Sequence, residues 1–156
     1  MIRKLTILAA VLAAGPALAD SHTAEVDLTA TGDVSAGESA FRQCQSCHVV
    51  ESPDGEILAG RAAKTGPNLW GVAGRTAGTV EDFRYSDLMV TAGEMGMVYD
   101  EATFASYVQD PTGHLQEFTG ESGRGKMTYR VRNEEDAVNL YAFLAQFGEQ
   151  AEDSGS

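Results

Sequence analysis

The sequence predicts an all-α domain, a few short helices joined by long glycine-rich loops. Three observations carry that expectation. Apolar residues recur at helical spacing in several segments, polar capping residues stand just before them, and no segment alternates convincingly as a half-buried strand would.

From Val34, the positions Val34, Gly37, Ala40, Phe41 and Cys44 keep helical spacing, and Asp33 is placed to cap the run. A second helix is expected around "SDLMVTAGEMGMV". Asp100 can cap a third that passes through Phe104, Tyr107 and Val108 until Pro111 ends it. Asn133 caps "EEDAVNLYAFLAQFG". Its acids Glu134, Glu135 and Asp136 occupy the first turn, where the helix dipole favours negative charge, and Gly148 stops the helix. Ala137, Leu140, Tyr141, Leu144 and Phe147 form one apolar face, with Phe143 beside it and placed to meet the first helix.

The chain opens "MIRKLTILAAVLAAGPALAD". A cationic Arg3-Lys4 pair, a short apolar run and the small-x-small Ala17-Leu18-Ala19 describe an export signal over 1–19, cut after Ala19. The run is shorter than the roughly 20 residues that span a bilayer and is broken by Gly15-Pro16, so a retained anchor is the weaker reading. No later segment is apolar enough to span. Residues 20–32, His22 among them, read as a flexible leader to a domain over 33–148. Residues 149–156 read as a flexible acidic tail.

The net charge is −12, and −14 once Arg3 and Lys4 leave with the signal. A nucleic-acid binder needs a dominant basic face to release phosphate counterions, and this chain has none. An anionic membrane surface is disfavoured for the same reason.

The only two cysteines lie in "CQSCH", as Cys44 and Cys47, with His48 next. A disulfide across so short a loop would add little stability. A thioredoxin-like pair would sit near a βαβ pattern, and zinc would need a second Cys/His pair at ligand spacing; neither is present. The spacing is that of covalent haem attachment, in which two thioethers fix the porphyrin edge and the adjacent histidine reaches the iron. One haem c is therefore expected. It would also give the loops a body to pack on, which the short helices alone do not supply.

The second axial position decides between electron transfer and chemistry on a bound molecule. Met89, Met95, Met97, Met127 and His114 are the candidates. The first three fall in or just after a helix, where a methionine is ordinarily core. His114 reads as a solvated residue in the loop after Asp110-Pro111. Met127 is isolated in "GESGRGKMTYRV", a glycine-rich loop that gives an apolar side chain no evident reason to be there.

"CQSCH", "KTGPNLWGVAGR", "FRYSDL", "SYVQDP" and "GKMTYRV" follow one another in an order that resembles the class I cytochromes c, most nearly the bacterial cytochrome c2 and c-550 group. The resemblance runs from about Asp33 to Gly148 and implies the cytochrome c fold. It implies thioethers at Cys44 and Cys47, proximal ligation by His48 and distal ligation by Met127. Pro67 would orient the imidazole through its carbonyl. Arg75 and Tyr85 would donate to a buried haem propionate, and Tyr107 would lie near the methionine sulfur. Gly37 and Phe41 resemble the packing pair of the first helix. Two positions depart from the family. Tyr99 stands where a propionate-binding Trp is common, and Gly125 stands where many members have Thr. Trp70 reads as packing around the haem site.

A His/Met-ligated iron has no open position, which describes a one-electron carrier and not an enzyme. The expected setting is the periplasm, as a monomer docking transiently between a bc1-type donor and an oxidase or photosynthetic reaction centre. A dedicated acceptor of one periplasmic dehydrogenase is the alternative, with a haem enzyme or gas sensor bearing a labile Met behind it. Arg61, Lys64, Arg124, Lys126, Arg130 and Arg132 are expected to form a basic rim that steers such docking. Because the loops need the cofactor, a Cys44→Ser/Cys47→Ser chain lacking haem should be largely unfolded by circular dichroism. A cooperatively melting apo form would contradict this.

Overall fold

The computed structural model describes residues 26–148. The signal, His22 and the acidic tail lie outside them. In chain order the described residues form α1 (Val34–Phe41), β1 (Val49–Glu51), β2 (Ile57–Gly60), α2 (Asp87–Glu94), α3 (Glu101–Gln109), α4 (Pro111–Thr119) and α5 (Glu134–Leu144).

The expected caps are made. Asp33, Asp100 and Asn133 accept from Ala36, Thr103 and Asp136 backbone N–H groups, each at 2.7 Å, and Ser86 does the same for Met89 at 3.3 Å. Each such cap is worth about 0.5–2 kcal/mol. That matters because helices of 8 to 11 residues are marginal on their own.

The core begins where α1 packs on α5. Gly37 lies against the α5 backbone so closely that a Cβ there would fall 1.9 Å from the Asn139 carbonyl oxygen. Phe41 and Phe143 pack with ring centroids 5.4 Å apart, as the sequence pattern anticipates. Ala137, Leu140, Tyr141 and Leu144 are buried on the predicted face of α5. The helix ends at Leu144, and turns carry Phe147 back onto the core; Gly148 lies beyond them. Asn139, buried on α5, accepts from the Asp33 N–H at 2.7 Å and so joins the start of α1 to α5. Nearby, the Glu101 carboxylate accepts from both the N–H and the hydroxyl of Thr31, at 2.6 and 2.7 Å. α3 completes this side by packing on α5, Phe104 against Tyr141.

Three features differ from the sequence reading. Residues 49–60 form an antiparallel hairpin, pairing Val49 with Gly60, Val50 with Ala59 and Glu51 with Ile57 across an irregularity after Val50. Its turn is "SPDG", with the Gly55 N–H donating to the Ser52 carbonyl at 2.9 Å. Pro53 at the second position and Gly55 at φ +84° suit such a turn. The strands are too short, with Val49 and Val50 both buried, to show alternation.

Pro111 ends α3 but also starts α4. Asp110 is at once the C-cap of α3 and the N-cap of α4, with Pro111 in the first helical turn, where its missing N–H costs nothing. His114 is therefore helical and half-buried, between Tyr107 and Phe118, with Nδ1 2.9 Å from the Ser106 hydroxyl. Its Nε2 is buried without a hydrogen-bond partner, so the expectation of a solvated loop residue is not met. Met89 and Met97 are core residues as expected, whereas Met95 is 54% exposed.

Candidate functional site

The chain leaves α1 through tight turns. Cys47 and His48 N–H groups both donate to the Cys44 carbonyl, at 3.1 and 2.9 Å. This winding brings both thiols and the imidazole to the border of one cavity. The two cysteines are free and half-buried. As a free thiol, Cys44 has its pKa pushed up to about 11 by burial and then by the neighbouring Cys47.

His48 is held from two directions. Its Nδ1 lies 2.9 Å from the Pro67 carbonyl oxygen. A carbonyl only accepts, so Nδ1 carries the proton and Nε2 keeps its lone pair. Burial holds the ring below the usual histidine range, with the Pro67 bond opposing that shift and the Arg75 charge adding to it. The face of the ring meets Gly66, where a Cβ would come within 2.4 Å of Cε1 and 2.8 Å of Nε2.

The Gly66-Pro67 segment is itself fixed. The Gly66 N–H donates to the Cys47 carbonyl at 2.7 Å and the Leu69 N–H to that of Val49 at 2.9 Å. Asn68 exchanges a pair of bonds with the Glu51 backbone, at 3.0 and 2.7 Å, and also accepts from Trp70 N–H. Sequence reasoning missed Asn68. Its signal was an amide between a proline and apolar residues, facing a strand that was itself not recognised.

All nine site residues chosen from sequence, Cys44, Cys47, His48, Pro67, Arg75, Tyr85, Tyr99, Tyr107 and Met127, border this one cavity. Its volume is about 280 Å³, far beyond the roughly 10–15 Å³ that a single water needs. Apolar side chains of Leu69, Val72, Phe104, Val108, Leu140 and Leu144 supply much of the remaining wall. Trp70 packs half-buried on the core without bordering the cavity.

Two polar groups have arrangements that the sequence did not reveal. The Tyr99 hydroxyl, expected on a propionate, points to Met89 Sδ at 3.6 Å, inside the buried core. Arg75 donates from Nη1 to the Trp70 carbonyl at 2.8 Å. The ion pair found among the described residues is Arg130 with Asp110, so the largely buried Arg75 has no carboxylate partner there. Burial correspondingly lowers its pKa, opposed by Tyr85 and Tyr99. An unpaired guanidinium beside an apolar cavity asks for an anion.

The donor set therefore fits a haem, which offers an apolar macrocycle, vinyl groups for two thiols, a metal for a bare imidazole nitrogen and a thioether, and carboxylates for a buried cation.

No protein-family model matches the chain. Among curated relatives, it is 58% identical over 119 residues to a cytochrome c2 of Rhodovulum adriaticum, covering 76% of this chain and 94% of that one. The chain belongs to the cytochrome c2 and c-550 family. A cytochrome c-550 of Paracoccus versutus is 43% identical over 124 residues, covering 77% of this chain and 78% of its own. Among solved structures, cytochrome c2 from Rhodobacter sphaeroides matches with a TM-score of 0.73 at 52% identity, over 75% of this chain and 97% of that one. Ferric cytochrome c-550 from Paracoccus versutus gives 0.70 at 41% identity, over 75% and 98%.

As a cytochrome c2 relative, the protein has the cytochrome c fold, carries a single covalently attached haem c and is an electron carrier rather than an enzyme. The contact of Gly66 with the imidazole gives a direct test. Gly66→Ala should push ring and loop apart and lower the stability of the haem-loaded protein by about 1–3 kcal/mol, read from its denaturant midpoint. An unchanged midpoint would show that the ring has room to move.

Proposed function

We propose that this cytochrome is a periplasmic one-electron shuttle whose iron is ligated by His48 and Met127 and whose haem is attached through Cys44 and Cys47. The observation that carries this reading is the forced tautomer of His48. Pro67 takes Nδ1–H and leaves the Nε2 lone pair beside the two thiols, on a cavity that Met127 also borders.

In this reading each residue has a chain-borne task. Pro67 orients the imidazole and raises its basicity, as tied-down metal-bound histidines require. Gly66 lets the loop approach the ring. Arg75 and Tyr85 receive propionate charge, which turns an unpaired buried cation into a compensated one. Tyr99 and Tyr107 close the wall with rings 5.7 Å apart, and burial raises both phenol pKa values, so both remain neutral donors. The haem, when bound, supplies the reversible ferric–ferrous step, and a methionine ligand favours the reduced form. With both axial positions filled, no site remains for a substrate.

Residues 1–19 act as a cleaved export signal, 20–32 as a leader, 33–148 as the cytochrome domain and 149–156 as an acidic tail. Partners are a bc1-type donor and an oxidase or reaction centre, met by transient docking of the haem edge. Four cations of the expected basic rim, Arg61, Lys64, Arg124 and Arg132, are exposed. The other two are engaged within the chain, Arg130 by Asp110 and Lys126 by the Arg84 carbonyl. The Asp110 carboxylate offsets Arg130, whereas Lys126 keeps its full charge, so among the described residues five of the six cations have no carboxylate partner.

Reduced, haem-loaded protein should keep its visible spectrum under carbon monoxide, and Met127→Ala should bind the gas readily. Ready binding by the unmodified protein would remove the Met127 assignment. Electron transfer to an acidic redox partner should slow as salt rises past about 0.1 M, where the screening length is about 10 Å. A salt-independent rate would dismiss the steering rim.

A further inference from the structure

Met127 sits in the segment 121–130, within which no backbone–backbone hydrogen bond is made. Such a segment has no stiffness of its own, so its position depends on a few ties to its surroundings. Upstream of the methionine, Gln116 Nε2 donates to the Gly123 carbonyl at 2.8 Å, and the Gly125 N–H donates to the Thr112 hydroxyl at 3.1 Å. Downstream, the Val131 N–H donates to the Val108 carbonyl at 2.9 Å, and Arg130 pairs with Asp110 at 2.8 Å. Three of these four ties end within five residues, Val108 to Thr112, at the elbow between α3 and α4. A second cavity lies between elbow and loop, bordered by Pro111, Thr112, Gly125 and Met127, so the loop is not packed solid from behind.

The ties are unequal. Arg130 and Asp110 are 61% and 49% exposed, and an exposed ion pair contributes about 0–1 kcal/mol at most. Val131 lies four residues beyond the methionine, and Gly123 four before it. Lys126, next to the methionine, donates to the Arg84 carbonyl, but through the end of an exposed, flexible side chain. Thr112 acts two residues from Met127, on a half-buried backbone N–H. A Cβ on Gly125 would sit 3.4 Å from that hydroxyl and 3.5 Å from Leu115 Cδ1, so the glycine lies close in the elbow.

We infer that Thr112 is a positioning residue for the iron ligand: its hydroxyl seats Gly125 on the α3–α4 elbow and thereby holds Met127 toward His48 across the haem site. The inference rests on the ligation by Met127 argued above. The hydroxyl accepts one bond from the loop and gives the methionine segment a fixed point without filling the cavity behind it.

Thr112→Val removes the hydroxyl at nearly constant shape, and Thr112→Ser restores it. An added imidazole binds ferric haem-loaded protein only by displacing the sulfur, so its apparent affinity reports how firmly the loop is held. One net hydrogen bond corresponds to a roughly three- to tenfold change. Thr112→Val should bind imidazole tighter by that factor, with a weaker sulfur-to-iron charge-transfer band in the far-red. Thr112→Ser should fall within about twofold of the unmodified protein. Should the valine variant fail to load haem, Thr112→Ala is read in the same way. A clear sulfur band in the unmodified protein, with imidazole affinity unchanged in the valine variant, overturns the role of Thr112 alone. Absence of that band in the unmodified protein overturns the Met127 assignment and this inference with it.

Discussion

The hydrogen bond between His48 Nδ1 and the Pro67 carbonyl is the constraint on which the rest of the molecule turns. It decides which ring nitrogen is bare, and it joins the cysteine segment to a loop 19 residues further on. That loop is positioned in turn by the Gly66–Cys47 and Leu69–Val49 backbone bonds and by Asn68 against β1. The small hairpin, which contributes little to the helical core, thus has a purpose. It presents a strand edge against which the Pro67 loop registers, and its close at Gly60 lies against the His48 carbonyl and Phe41.

The helices are organised around a space. α1, α3 and α5 pack together, but Phe104, Val108, Leu140 and Leu144 of that group also line the cavity. Among the described residues each helix has a capped N-terminus and none exceeds 11 residues, so local propensity and caps leave much of the stability to tertiary packing. What remains is apolar wall in search of a filler and an Arg75 in search of an anion. A single group that is both apolar and anionic satisfies these two deficits together. A group that binds only the folded chain adds its binding free energy to the stability of the fold.

The parts of the site legible in the sequence were those whose chemistry is contiguous or out of place. "CQSCH" needs no fold to be read, and Met127 stands out because nothing else explains an apolar residue among glycines. The caps Asp33, Asp100 and Asn133 were legible because a short polar side chain before a periodic run has one local use. What stayed hidden depended on partners distant in sequence. Asn68 acts through β1 and Asn139 through the start of α1, and Thr112 reaches across to Gly125. Pro111 misled because one residue both stops a helix and opens the next, which a scan for stop signals reads only once. Tyr99, expected on a propionate, borders the cavity, yet its hydroxyl points to Met89, a residue that sequence reasoning had assigned to plain core.

The two sides of the site are built to different standards, and this bears on how the carrier works. On the histidine side, ring contact, carbonyl bond and loop registration overlap, so no single group has freedom to drift. On the methionine side, a loop without internal bonds hangs from an elbow, with open space behind it. A histidine bond anchored by the fold needs no further help, but a thioether is a weak ligand and must be held in place by the chain. In the proposed ligation by Met127, the ties from Val108, Asp110 and Thr112 act on the contact most easily lost. An electron carrier keeps its geometry between two charge states. In this molecule the elbow between α3 and α4 is where that requirement meets a loop with no backbone–backbone hydrogen bonds of its own.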